Sequence, residues 1–207
     1  MKGLLIKDLL YIRQMWKVLA IILVIYGAMF ATVGVTNLGS GAASMLVMLT
    51  MILTINTFAY DEKSNWDGFG LSLPVGRKRM VLEKYLLVLL VSGSISLLLL
   101  AACLATGKFT VEDGASIAAG FAMALLFPAV MIPLFYKFGI QRARLVIFLF
   151  FMIPVLFVVL WKRLNLPLPH ITDAMVMQFL WFSPVLVFVL YVISFLISCA
   201  VYSNKEF

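Results

Sequence analysis

Charge is what this 207-residue chain has least of. Only 12% of its residues are Asp, Glu, Lys or Arg, beside 64% that are hydrophobic, whereas a soluble domain carries about 25% charged residues. No soluble fold of this size has interior enough to hide so much apolar surface, which excludes a soluble enzyme and a disordered tail. There are two cysteines, Cys103 and Cys199, too few for a disulfide scaffold. They fall near opposite ends of their apolar stretches, roughly 20 Å apart in depth at about 1.5 Å per residue, beyond the ~7 Å that a disulfide spans. The single histidine, His170, reads as a solvated loop residue; there is no HExxH and no metal-ligand set. The stretch GLSLPVGRKR imitates a phosphate-binding loop only superficially, because five residues separate Gly70 from Gly76 and Arg77 follows where Lys and Ser/Thr are required. No catalytic constellation remains, so an intramembrane enzyme is disfavoured.

What is present is a series of long apolar runs. A membrane-crossing helix needs roughly 17–25 apolar residues, and unpaired backbone groups forbid loops and open sheet edges in lipid. Six stretches qualify: residues 18–35, 43–60, 85–106, 116–136, 145–161 and 184–202. The fifth is the shortest and contains Pro154. None of the six contains Asp, Glu, Lys, Arg or His, although proton- and sodium-coupled transporters usually keep such residues in their spans. Small residues Gly27, Ala31 and Gly34 in the first stretch, and Ser92, Gly93, Ser94 and Ser96 in the third, suit close helix packing. Pro128, Pro133 and Pro154 are expected to bend their helices.

The formal net charge of +7 is distributed unevenly. Thirteen of the sixteen Lys and Arg residues fall in the N-terminal segment, the segments after the second and fourth stretches, and the C-terminus. Lys108, Lys162 and Arg163 alone fall on the other side. The positive-inside rule then puts both termini in the cytoplasm, and the basic excess reads as an orientation signal rather than a nucleic-acid site. The expected fold is all-α and integral to the membrane, a single domain over residues 1–207. Six transmembrane helices follow an N-terminal amphipathic elbow helix at residues 1–17, whose Leu5, Leu9, Ile12 and Trp16 form an apolar stripe. On the outer side, residues 162–183 are expected to hold a re-entrant or interfacial segment. Thr172 would cap its short helix, and Pro184 would separate that helix from the last span.

The longest inner loop, residues 61–84, holds acidic residues that orientation does not need. Asp61, Glu62 and Asp67 lie with Trp66 and Phe69 directly beneath the second stretch. A short polar helix ending at Gly68 or Gly70, before a Leu73-Pro74 break, would present charge and an aromatic ring to a partner.

These residues carry a resemblance. The opening MKGLLIKDLL, the segment FAYDEKSNWDGFGLSLPVGRKRMVLEKYL and the ending YSNKEF resemble the small six-span permeases of the ABC-2 type ATP-binding cassette transporters. The middle segment is the specific one, with Asp61, Glu62, Lys63, Trp66, Asp67, Leu73, Pro74 and Arg77 at the expected places. The nearest subgroup is similar to permeases exporting phenol-soluble modulins and related antimicrobial peptides. The resemblance implies a multi-pass protein of the bacterial cytoplasmic membrane, with no cofactor of its own. A separate ATPase subunit would hold ATP and Mg. A second permease subunit, identical or not, would complete a pathway for an amphipathic peptide. The eight residues of the middle segment would form the main coupling contact, Lys137, Arg142 and Arg144 a second, and the elbow helix a third. The alternative is an accessory or immunity-type membrane protein that binds a peptide or a partner without transporting it.

Overall fold

The computed structural model describes the backbone of residues 2–33, 38–72, 76–105, 110–163 and 173–203. Among these the chain is entirely helical. Seven helices follow in order: α1 (Lys2–Gln14), α2 (Trp16–Val33), α3 (Leu38–Lys63), α4 (Trp66–Ser72), α5 (Arg77–Ala105), α6 (Val111–Arg163) and α7 (Asp173–Ser203).

Four helical segments are long and apolar enough to cross a bilayer: Gly39–Lys63, Arg77–Ala105, Val111–Ala143 and Val185–Ser203. A fifth is obtained if α1 and α2, bent 56° at Met15, are counted as one broken span. The bend falls at the end of the segment expected as an elbow, residues 1–17. Lys2, Lys7, Asp8 and Arg13 keep α1 polar, and the following apolar α2 turns away from it. Residues 145–161, expected as a separate fifth span, form part of α6 beyond an internal break.

Helix α6 is the longest element, and its break is not at a proline. Pro128 and Pro133 lie within its first arm, whereas non-helical dihedrals occur at Gly139, with φ 71° and ψ 167°. Positive φ strains any residue with a Cβ, and glycine adopts it freely. The expected loop around Lys137, Arg142 and Arg144 is therefore a one-residue interruption of a helix. The expected stop at Pro184 is likewise absent. Helix α7 runs through it, since a proline costs one backbone hydrogen bond and a clash but does not oblige a long helix to end.

Helices α3 and α6 make the most extensive pairing, and α7 and α5 pack against α6. The main core gathers Phe58 of α3, Val81 and Tyr85 of α5, Ile132, Phe135 and Tyr136 of α6, and Tyr191 and Tyr202 of α7. Polar side chains inside it are satisfied locally. Thr50 and Thr54 donate to the carbonyls four residues earlier. Tyr85 Oη bonds Ser194 and Ser198, one turn apart on α7, while Tyr191 Oη donates to the Tyr85 carbonyl. Ser194 in turn donates to the Ala129 carbonyl of α6. Such bonds join helices where lipid supplies no hydrophobic drive for association.

The end of the bundle away from the termini is closed by backbone approach. Asp113 and Thr110 form a reciprocal cap on α6, with Thr110 N–H and Oγ1 donating to Asp113 Oδ2 and Asp113 N–H donating to Thr110 Oγ1. The other oxygen, Oδ1, accepts the Gly39 N–H at 2.7 Å, so one carboxylate caps two helix N-termini. Gly39 permits this closeness, since a Cβ there would collide with the Asp113 backbone. Further along the same pair, a Cβ on Gly120 would fall 2.7 Å from that of Ala43. Cys103 packs in this end with Ala42 and Ile117.

Candidate functional site: the basic end of the bundle

The ends of α3, α5 and α7 meet α1 and the α6 break at one end of the molecule. It carries most of the charge, and its order starts with α1. Leu4 and Asp8 of this helix are buried, whereas Ile6, Leu9, Leu10 and Trp16 are exposed. Lys7 and Asp8 thus turn inward while Leu9 of the apolar stripe looks outward and Arg13 stays exposed, a partial reversal of a soluble amphipathic helix that lipid favours.

Asp8 is 1% exposed and Lys84 4%. Lys84 Nζ lies 2.5 Å from Asp8 Oδ2 and 2.6 Å from Asp61 Oδ2. Lys7 Nζ reaches Asp61 Oδ1 at 2.6 Å and Asp8 Oδ1 at 3.0 Å. Two ammonium groups and two carboxylates thus alternate, and they tie α1 to α3 and α5. Burial on its own would push the Asp8 carboxyl up. The Lys84 and Lys7 charges, with the hydrogen bonds it receives, outweigh burial and hold it below the usual carboxylate range. Lys7 also sits over the Trp66 ring, 4.1 Å from its centroid, in cation–π contact.

Asn65 makes the turn from α3 into α4. Its φ of 49° places it in the left-handed region, which Asn tolerates at helix ends, and its N–H donates to the Glu62 carbonyl at 3.2 Å. Helix α4 therefore starts at Trp66 and runs to Ser72 rather than stopping at Gly68 or Gly70. Asp61 and Glu62 belong to the last turn of α3, and Trp66 opens a different helix, so these three do not share a helical face.

The residues expected to form the coupling contacts separate into two groups. Asp61, Trp66 and Arg77 face their own chain. Asp61 is in the ion cluster, Trp66 packs against the core and Phe69, and Arg77 donates to the Ser203 carbonyl at the end of α7. Glu62 is exposed, yet its Oε2 accepts the Ile140 N–H at 2.8 Å. That N–H opens the second arm of α6 beyond Gly139, so the carboxylate acts as a helix cap supplied from α3. Lys63, Lys137 and Arg142 are exposed, as is Phe69 at 58%. Leu73 and Pro74 lie outside the described residues, as do Gly34 and residues 164–172 with His170 and Thr172, and so do the surroundings of Gly27 and the side chains of Ala31, Asp67 and Arg144.

Sequence reasoning passed over Asp8, Glu83 and Lys84, which occupy the centre of this end. A signal was available. A Lys-Asp pair breaks the apolar run of α1, and a Glu-Lys pair stands immediately before the third apolar stretch. Both cross-pairings bridge more than 50 residues, and spacing alone does not reveal that. A cavity of about 190 Å³ lies beside the cluster, reached from α1, α3, α4, α5, α6 and α7.

A bundle of long apolar helices with its charge gathered at one end defines a multi-pass helical membrane protein. More particularly, the chain belongs to the ABC-2 transporter family: the model described as "ABC-2 family transporter protein" matches residues 3–203. Comparison with curated proteins and with solved structures gives no match.

Proposed function

We propose that this chain is the permease subunit of an ATP-driven ABC exporter. The observation that carries the reading is the family match over almost the whole chain. ABC-2 membrane components usually pair with an ATPase subunit. That subunit would bring ATP and Mg, and this chain would have no catalytic role of its own. The membrane would be the bacterial cytoplasmic membrane, with six crossings and both termini inside, as the basic bias argues. A second permease copy or a related chain would complete the pathway.

The geometry supports a particular docking surface. Phe69 on α4 and Lys63 at the end of α3 are exposed, and Lys137 and Arg142 flank the α6 break beside them. The interior contacts of Asp61 and Trp66 fix α4 to α1, α3 and α5, so force on α4 would reach three helices. Transmission requires contacts that differ between two states of the ATPase pair.

The cargo reading is an amphipathic, membrane-active peptide. The resemblance to peptide-exporting permeases supports it, together with spans free of charge.

An affinity-tagged chain purified in mild detergent from its own host is expected to carry an ATPase subunit. Phe69→Ala with Lys63→Ala should release that subunit while the permease stays folded. Retention of full peptide export by the double variant would sink the docking assignment. Export of lipophilic dyes, with amphipathic peptides ignored, would overturn the cargo reading.

A further inference from the structure

Arg13 stands in the middle of an apolar face. Leu4 and Asp8 fix one side of α1 to the bundle. The opposite side carries Ile6, Leu9 and Leu10, each about half exposed, and helical spacing puts Arg13 among them. Arg13 is itself exposed, and among the described residues no carboxylate pairs with it. The one acidic residue of its helix, Asp8, is held by Lys7 and Lys84. Lys17, at the start of α2, is exposed and without an ion pair in the same way. On a face turned to lipid, a guanidinium lays its stem along apolar groups and carries its head to an anion at headgroup depth.

The surroundings of Arg13 suit one such anion. A recess of about 530 Å³ lies at the 56° bend between α1 and α2, lined by Leu10, Arg13, Gln14 and Trp16. Leu10, Arg13 and Gln14 share a helical face, and Trp16 stands just past the bend, 61% exposed. The planar guanidinium fork matches a phosphate through two N–H donors, and Gln14 adds an amide donor. An indole ring is at home at headgroup level. Ile21 and Val24, four and seven residues on from Lys17, are exposed and continue an apolar track along α2. No carboxylate lines the recess, so the ammonium of a zwitterionic headgroup would find no partner there, whereas a net negative headgroup would meet two cations.

We propose that the bend between α1 and α2 binds one anionic phospholipid, its phosphate held by Arg13 with Lys17 beside it and its acyl chains lying along α2. The leucine and isoleucine side chains around Arg13 favour lipid over an acidic protein surface. The site requires only that the chain lies in a bilayer, and it stands whether or not the chain exports a peptide.

Native mass spectrometry of the full chain, released from detergent micelles, counts bound lipid. Phosphatidylglycerol is expected to add one molecule saturably at concentrations where phosphatidylcholine adds little. Arg13→Gln should weaken that uptake about fivefold or more. Arg13→Lys should lose less, since it keeps the charge without the fork, and Lys17→Gln should also lose less. Arg79→Gln removes the same charge from an exposed residue of α5 and should change nothing. Thermal unfolding confirms that each variant is folded. Glycerol phosphate, which has the anion without the chains, is expected not to displace the lipid. Equal uptake of the two phospholipids, or equal losses in Arg13→Gln and Arg79→Gln, would reduce the site to unspecific adhesion and overturn the proposal. Displacement by glycerol phosphate would overturn it in favour of a free phosphate. Loss of a co-purifying ATPase subunit from Arg13→Gln, with lipid uptake unchanged, would give Arg13 to a protein partner and overturn it as well.

Discussion

The two ends of the bundle are held by opposite means. At the far end, α3 and α6 approach backbone to backbone through Gly39 and Gly120, and Asp113 caps both helices. At the basic end, α1, α3 and α5 are joined by the tips of long side chains, in the Lys7–Asp8–Lys84–Asp61 cluster. Backbone contact has one geometry and no slack. Lysine side chains have several rotatable bonds and can keep a carboxylate partner while the helices beneath them shift. The comparison teaches that the far end is built as a fixed pivot and the basic end as an adjustable joint. On the proposed function, such an arrangement would suit a protein driven from its basic face.

The largest break in that comparison should come from removing one member of the buried cluster. Lys84→Ala leaves Asp8 and Asp61 to share the partly exposed Lys7 alone, and removing one partner of a buried ion pair costs about 3–5 kcal/mol. Thermal unfolding in detergent should show a large drop in midpoint, and Asp8→Asn combined with Lys84→Met should restore part of it. If Lys84→Ala unfolds like the native chain, the cluster does not hold α1.

Gly39→Ala attacks the other end. The added methyl has no room beside the Asp113 backbone, and overpacking a tight contact costs about 1–3 kcal/mol. The pivot model predicts that this variant also loses transport out of proportion to its stability, measured as export per folded molecule. A fully active Gly39→Ala would show that the far end can give.

Gly139→Ala sharpens the account of α6. The φ of 71° and ψ of 167° at this residue are essentially a glycine conformation and penalise any Cβ by roughly 1–3 kcal/mol, seen as a fall in midpoint. The smallest effect is expected at the exposed cap. Glu62→Gln keeps an acceptor for Ile140 N–H and should shift stability by less than about 0.5 kcal/mol. Orientation is read separately by single cysteines in a chain with Cys103 and Cys199 replaced. Position 78 should label from the cytoplasmic side and 112 from the outside. Position 113 should resist labelling because Asp113 is buried. Labelling of 78 from outside would invert the fold.

Much of this was legible beforehand because lipid imposes simple rules. Apolar runs at 43–60 and 116–136, and 85–105 of the third run, each fall within a helix long enough to cross, and the chain's family could be recognised from residues around Asp61 and Trp66. The illegible parts are those where tertiary contact decides. Pro184 signals a stop by local rules, yet α7 continues through it. The α6 break at Gly139 is supported by a carboxylate from α3, 78 residues away, which no local pattern encodes. Asp61 reads as a surface charge beneath a span. Its true partners, Lys7 and Lys84, are set by how α1 folds back. Charge was absent from the six apolar stretches, but the helices run past those stretches, and Asp8, Asp61, Glu83 and Lys84 beyond them turn inward.

The far-end staple has a consequence for how the chain is made. Gly39 and Asp113 are 74 residues apart, and Asp8 and Lys84 are 76. A ribosome adding about 5–20 residues per second needs several seconds to supply the second member of either pair. During that interval α1 sits at the membrane with an acidic group still awaiting its lysine, and the start of α3 has an open amide. Neither fastening can close before roughly half the chain has been synthesised. A nascent chain arrested before α6 would therefore hold its first helices without the far-end fastening, a natural point for membrane quality control to recognise it as unfinished.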